Sequence, residues 1–225
     1  MSYVRSRMLP ERKTKMNDLT PIRDYFSMRF EQHGEDATGV DWNSAYAQET
    51  RFEQLAKVIL PDKPFTVLDF GCGYGAMADW FRREGLDFVH YYGYDIVAGS
   101  LAAGTEKYGG DPAVSFHSSF DEIPVCDYLV ASGVFNIKME AAYSDWTAYV
   151  IDTLESFNRK TSRGFSVNFL TSYSDADRMA ERPDLYYADP CVIFDYCRRH
   201  FSRNVALLHD YKIWDFTILV RKEYD

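Results

Sequence analysis

The stretch Thr66-Val67-Leu68-Asp69-Phe70-Gly71-Cys72-Gly73-Tyr74-Gly75 constrains this chain more than any other. A short β-branched and apolar run ending in an acid and three alternate glycines predicts a buried strand that turns sharply into a helix. The glycines permit φ > 0 and let a ligand approach the main chain without meeting a Cβ. Helical spacing resumes with Ala76, Met77, Trp80 and Phe81, and Gly85 is the expected stop. Gly71, Gly73 and Ala76 formally satisfy the dinucleotide fingerprint G-x-G-x-x-G/A, which seats a pyrophosphate on a helix N-terminus. Asp69 argues the other way, because it would put negative charge beside two phosphates; it suits a cationic ligand. A glycine-rich turn with no ligand is the third reading.

The same residues resemble the D-x-G-x-G-x-G loop of class I S-adenosylmethionine-dependent methyltransferases, whose cofactor carries an ammonium and a sulfonium and has no phosphate. Asp69, Phe70, Gly71 and Gly73 are then cofactor-binding residues. Phe88 to Tyr94 reads as the second strand with Asp95 at its carboxyl end. There, about 20 residues after the loop, an acid accepts hydrogen bonds from ribose hydroxyls. The competing reading of Asp95 is a cap for a helix over Val97 to Tyr108. Ser118-Ser119-Phe120-Asp121-Glu122-Ile123-Pro124 resembles the family's adenine-contacting stretch, G-D-x-x-x-L-P, with Ser119 where the family has Asp and the Phe120 amide still available. Ile96, next to the ribose acid, joins this set. Cys126 to Ser132 resembles the family's F-D-x-V strand, whose end, Ser132 and Gly133 with Asn136 beyond, borders the transfer site. Ser132-Gly133-Val134-Phe135 lacks the two prolines that accompany transfer to planar exocyclic nitrogens such as adenine N6, which argues against that substrate.

At 225 residues the chain suits one large α/β domain with an N-terminal extension. A net charge of -9 argues against a phosphate-tracking surface and hence against a nucleic-acid partner. The four cysteines, Cys72, Cys126, Cys191 and Cys197, have no metal-ligand spacing and read as free thiols. With no signal-like h-region and no apolar run long enough to span a bilayer, the expectation is a cytoplasmic protein with no membrane partner and no metal.

In chain order, residues 1–19 are polar, with Arg5, Arg7, Arg12, Lys13 and Lys15, and are expected to form a mobile tail. Thr20-Pro21 predicts a helix start with Thr20 as N-cap, running to about Gln32. Asp41-Trp42-Asn43-Ser44 offers a second cap, after which Phe52, Leu55, Ala56 and Ile59 mark a helical face ending at Pro61. The resemblance implies that residues 20–61 form a helical lid, with Tyr25, His33, Trp42, Tyr46 and Arg51 as lid candidates; ordinary packing is the alternative for the aromatics. Arg51 is either a fork for the cofactor carboxylate or a surface ion pair. Strand-like and helix-like segments then alternate, which predicts a doubly wound parallel sheet. Arg203 to His209 and Trp214 to Arg221 are joined by a hairpin. Residues 62–225 thus resemble the methyltransferase domain, a Rossmann-like doubly wound seven-stranded sheet with a terminal antiparallel hairpin. Thr171 to Asp189 is a long loop, expected to form a second wall of the substrate pocket with Tyr173 and Tyr187.

The leading reading is methyl transfer from S-adenosylmethionine to an oxygen or nitrogen of a small polar metabolite, a sugar or nucleotide sugar among the candidates. A base is needed only for a hydroxyl or a protonated amine. Among His33, His117 and His209, His33 is the catalytic candidate. Two alternatives stand: an NAD-dependent oxidoreductase, and a non-catalytic S-adenosylmethionine-binding protein.

Overall fold

The computed structural model describes residues 18–34, 45–60 and 62–222. Two helices, α1 (Thr20–His33) and α2 (Ala45–Ala56), precede the sheet. The chain then alternates through β1 (Phe65–Phe70), α3 (Ala76–Arg83), β2 (Phe88–Tyr94), α4 (Ala98–Tyr108), β3 (Val114–His117), β4 (Cys126–Ala131), α5 (Tyr143–Lys160) and β5 (Thr161–Thr171). It ends with α6 (Ala176–Glu181), β6 (Tyr187–Ala188), α7 (Pro190–His200), β7 (Asn204–Leu208) and β8 (Asp215–Arg221).

The strands lie in the order β3-β2-β1-β4-β5-β8-β7. The first five are parallel, and β8 runs antiparallel to both β5 and β7. The sheet has eight strands rather than seven, because the two-residue β6 pairs with the end of β5. The segment expected as a long loop therefore contains α6 and β6. Thr20 is not the cap of α1: the helix begins at Thr20 and its first amide is held by Asp18 Oδ1 at 2.8 Å. The expected second cap, with Trp42, lies outside the described residues.

Helices cover both faces of the sheet, so β1 and β4 are mostly buried and read as largely apolar runs. Side chains still alternate between faces with period two. Leu68, Leu129, Phe165, Val167 and Phe169 face α5 and α7, with Trp146, Val150, Leu154, Phe157 and Ile193 packed on them. Val67, Tyr128, Val130 and Tyr91 face α2 and α3, against Leu55, Met77, Ala78 and Phe81.

On β5 the alternation carries Ser166 and Asn168 to the α2 side, where both are fully buried. Ser166 Oγ donates to Leu55 O at 2.9 Å, satisfying a carbonyl in the last turn of α2. Asn168 Nδ2 donates to Asp215 Oδ2 at 2.6 Å, and its Oδ1 accepts from Gly133 N at 2.8 Å. Arg51 of α2 closes the chain of contacts with Nε at 2.7 Å from Asp215 Oδ2 and Nη2 at 3.0 Å from Oδ1, and Nη1 at 3.2 Å from Ala47 O. The pair is buried on both sides. The surface ion pair considered for Arg51 is thus a buried bidentate one, and the fork expected to take the cofactor carboxylate is engaged by Asp215.

Removing one partner of a buried pair leaves the other charge uncompensated, which costs roughly 3–5 kcal/mol. Arg51→Ala is expected to lose about that much in urea denaturation, and Arg51→Met with Asp215→Leu to recover most of it. A single variant as stable as the parent would show that the pair contributes nothing.

Candidate functional site

The glycine loop takes its shape from the end of β2. Tyr94 O accepts from Gly71 N at 2.7 Å and Cys72 N at 3.0 Å, and Asp95 Oδ2 accepts from Gly73 N at 2.8 Å. Gly71, Gly73 and Gly75 have φ of 81°, 54° and 88°. A Cβ at Gly71 would stand 2.4 Å from Val134 Cγ1, so this position is closed to other residues by conformation and by space. Asp95 Oδ1 also accepts from Val97 N at 2.9 Å, at the start of α4. The helix-cap contact and the loop contact are both present on one carboxylate, and each oxygen keeps a lone pair for a further donor.

Asp69, at the end of β1, is almost completely buried and accepts a 2.5 Å hydrogen bond from the Tyr91 hydroxyl. Burial pushes its carboxyl up to about 7, against the relief that Tyr91 gives, and the nearby Asp95 adds to the rise. Asp95 is also held above the usual carboxylate range, chiefly by burial. Two carboxylates kept from water in this way form a site short of positive charge.

These residues open onto a cavity of about 780 Å³. Of the sequence candidates, Arg51, Asp69, Phe70, Gly71, Gly73, Asp95, Ile96, Phe120, Ser132, Gly133, Tyr46 and Asn136 are on its wall. The Phe120 ring stands edge-on to Phe70 and Tyr94, at 5.4 and 5.6 Å between centroids. Ser132 Oγ is buried there without a hydrogen-bond partner among the described residues. An open glycine cradle, a buried acid with a half-buried one beside it and an orphaned hydroxyl fit a ligand that is cationic at one end and carries hydroxyls.

Several candidates are elsewhere. Ser119 is not on the wall, although its neighbour Phe120 is. Tyr25 packs edge-on against Phe26, 5.3 Å between centroids, and it is Phe26 that lines the cavity, with Ile22 and Leu19. Tyr173 is 60% exposed and stacks on His209, while Tyr187 is buried on β6; neither lines the cavity. From the same segment it is Arg178, Arg182 and Leu185 that line the cavity. Trp42 and the side chain of His33 lie outside the described residues. Among the described histidines none is on the wall: His117 shares Ser115 Oγ with His90.

Sequence reasoning missed Tyr91, Asn168, Asp215, Arg178, Lys212 and Trp214. Asp215 had a signal, an acid opening the buried run Phe216 to Val220. Tyr91 and Asn168 had none, because their partners come from other strands.

A family described as a methyltransferase domain matches residues 43–185, well over half of the chain. Rv1506c of Mycobacterium tuberculosis, which carries the name of a methyltransferase, is 43% identical over 166 residues, 74% of this chain and 98% of that protein. Among solved structures, the N-methyltransferase NodS of Bradyrhizobium japonicum, in complex with S-adenosylhomocysteine, matches 90% of this chain and 100% of its own, with TM-score 0.60 and 13% identity. Human N-acetylserotonin methyltransferase, in complex with S-adenosylmethionine, matches 87% of this chain and 62% of its own, with TM-score 0.55 and 13% identity. The chain belongs to the class I S-adenosylmethionine-dependent methyltransferases. The cofactor of that family is S-adenosylmethionine.

The raised carboxyl of Asp69 has a stability consequence. Between the ordinary aspartate value of 3.8 and about 7 the folded chain holds a proton that the unfolded chain has lost, so stability falls as pH rises through that window. One proton corresponds to a slope of up to about 1.4 kcal/mol per pH unit. Asp69→Asn keeps an acceptor for Tyr91 and is expected to flatten the decline between pH 5 and 7 by about that amount. Unfolding free energies with the same slope in both proteins would contradict a buried, protonatable Asp69.

Proposed function

We propose that the cavity holds S-adenosylmethionine along the carboxyl ends of β1, β2 and β4. In this reading the chain transfers the methyl group to an oxygen or nitrogen of a small polar acceptor, a sugar or nucleotide sugar. The observation that carries it is the pair of carboxylates around the glycine loop, the buried Asp69 with its carboxyl near 7 and the half-buried Asp95 hydrogen-bonded to Gly73. Asp69 receives the cofactor's ammonium, and Gly71 and Gly73 admit its amino-acid end. Asp95 accepts from the ribose hydroxyls, Ile96 and Phe120 flank the adenine, and Ser132 and Gly133 border the sulfur. Arg51, its fork on Asp215, orders this end through Asn168 and Gly133.

The cofactor supplies an activated methyl on a good leaving group. The work of the protein is to align an acceptor with that methyl and to exclude water. Leu19, Ile22 and Phe26 of the α1 segment and Tyr46 of α2 line the cavity, which supports a lid role for residues 20–61. His33 is the base candidate for a hydroxyl acceptor. The free cysteines support a reducing, cytoplasmic setting, and no helix among the described residues is long and apolar enough to cross a membrane.

The alternatives fare less well. A pyrophosphate at the loop would face two carboxylates in a site shielded from water, where repulsion is strong. A cavity of about 780 Å³ that continues from the loop to Arg178 and Trp214 supports an acceptor space and therefore turnover.

S-adenosylhomocysteine is expected to raise the melting temperature, with a stabilisation of roughly 2.7 kcal/mol at a hundredfold excess over Kd, and NAD to leave it unchanged. Asp95→Ala should lower both the affinity and the apo melting temperature, since Gly73 and Val97 lose their acceptor. A shift with NAD and none with S-adenosylhomocysteine would overturn the reading.

A further inference from the structure

The wall of the cavity contributed by α6, its following turn and the approach to β8 is basic, in a chain that has 34 acids against 25 Lys and Arg. Arg178, Arg182 and Lys212 line it, with Leu185, Ile213 and Trp214 between them. These segments are pinned to the segment after β4 and to the end of β5. Lys138 N donates to Asp184 O at 2.9 Å, Tyr186 N to Asn136 O at 2.8 Å, and Thr171 N to Trp214 O at 3.1 Å.

The three cations differ in what holds them. Arg182 places Nε and Nη2 on Asp184 at 2.9 and 2.8 Å. Arg178 and Lys212 have no carboxylate partner among the described residues. Most other arginines of the described chain do have one, including Arg23, Arg51, Arg82, Arg83, Arg159, Arg163 and Arg199. The Arg178 guanidinium instead lies over Trp214, 5.7 Å from the ring centroid, and Trp214 is 40% exposed. A guanidinium stacked on a ring keeps its in-plane N–H fork for a ligand. Close to Arg178 and Arg182, the Tyr187 hydroxyl is buried without a hydrogen-bond partner among the described residues.

The acids of the cavity do not neutralise this wall. Asp69 and Asp95 stand beside the glycine loop, Asp215 is taken by Arg51, and Asp152 stands on α5. The cavity is polarised, with the Asp69 and Asp95 carboxylates at one part and two uncommitted cations beside an exposed indole at another.

We propose that the methyl acceptor carries a phosphate group, held by the Arg178 fork and the Lys212 ammonium, with Trp214 covering the part of the acceptor next to it. The inference rests on the methyl-transfer reading and names the class of its acceptor. A planar fork pairs bidentately with phosphate oxygens and a lysine adds a point charge, so two cations suit a dianion better than a neutral metabolite. A free sugar would leave both without a partner; a sugar phosphate or nucleotide sugar would not.

The test titrates the full chain, saturated with S-adenosylhomocysteine, with inorganic pyrophosphate and with uridine diphosphate glucose, followed by calorimetry and tryptophan fluorescence. Both probes are expected to bind, more weakly at high salt. Arg178→Gln and Lys212→Gln should each weaken them by at least about tenfold, a loss typical of a charge-assisted contact. Arg178→Lys should recover only part, because it restores charge without the fork. Affinity for S-adenosylhomocysteine should stay within about twofold in all three, which also reports that they are folded. If pyrophosphate and the nucleotide sugar fail to bind, or bind the glutamine variants as tightly as the parent, while S-adenosylhomocysteine still binds, the phosphate site is wrong and the methyltransferase reading stands. If S-adenosylhomocysteine does not bind the parent, both fall.

Discussion

The amides of a glycine loop need acceptors, and here the end of the neighbouring parallel strand supplies them. Tyr94 O takes Gly71 and Cys72, and the Asp95 carboxylate takes Gly73. That arrangement requires β1 and β2 to be adjacent, parallel and in register, with Asp69 opposite Gly93 and Phe70 opposite Tyr94. It also brings two acids together at the carboxyl ends of the sheet, where an open α/β fold leaves its crevice. Burial of both raises the energy of their charged forms, so the loop is ordered around a deficit of positive charge.

A second polar network positions α2, the helix that comes just before the sheet. Ser166 and Asn168 occupy the α2-facing side of β5, where an apolar side chain would pack but would give neither Leu55 O nor Asp215 the further hydrogen bond each accepts there. Through Asp215 the network reaches Arg51 on α2, and through Asn168 it reaches Gly133, on the cavity wall after β4. One contiguous set of hydrogen bonds therefore links α2, β8, β5 and the loop after β4. Buried polar networks of this kind favour a unique arrangement when every member is satisfied, which is what a cavity built between α2 and the sheet needs.

The parts legible in the sequence are those governed by local rules. The strand-glycine-helix unit, Asp95 at the end of β2 and the closing hairpin follow from periodicity and spacing between near neighbours. The long-range pairs were not legible. Nothing in the order of residues says that Tyr91 will donate to Asp69, or that Arg51 will meet Asp215 across 164 positions. Which residues of 171–189 meet the cavity was not legible for a related reason. The tyrosines of 171–189 drew attention because aromatics often line pockets, yet the pairing of β6 with β5 turns Tyr187 into the sheet and Tyr173 stacks outward on His209. Between them it is the charged Arg178 and Arg182, with Leu185, that meet the cavity.

If the buried carboxylate of Asp69 exists to receive a cation, its own titration must respond to that cation. Carbon-13 NMR of the Asp69 carboxyl, in the chain alone and in the chain saturated with S-adenosylhomocysteine, reads this directly, with Asp69→Asn fixing the assignment. The expected result is a midpoint near 7 in the free chain that falls by at least about one unit in the complex, as an opposite charge within a few ångströms brings about. A midpoint that stays in place or rises when S-adenosylhomocysteine is bound would contradict the role of Asp69 as the cation-binding group.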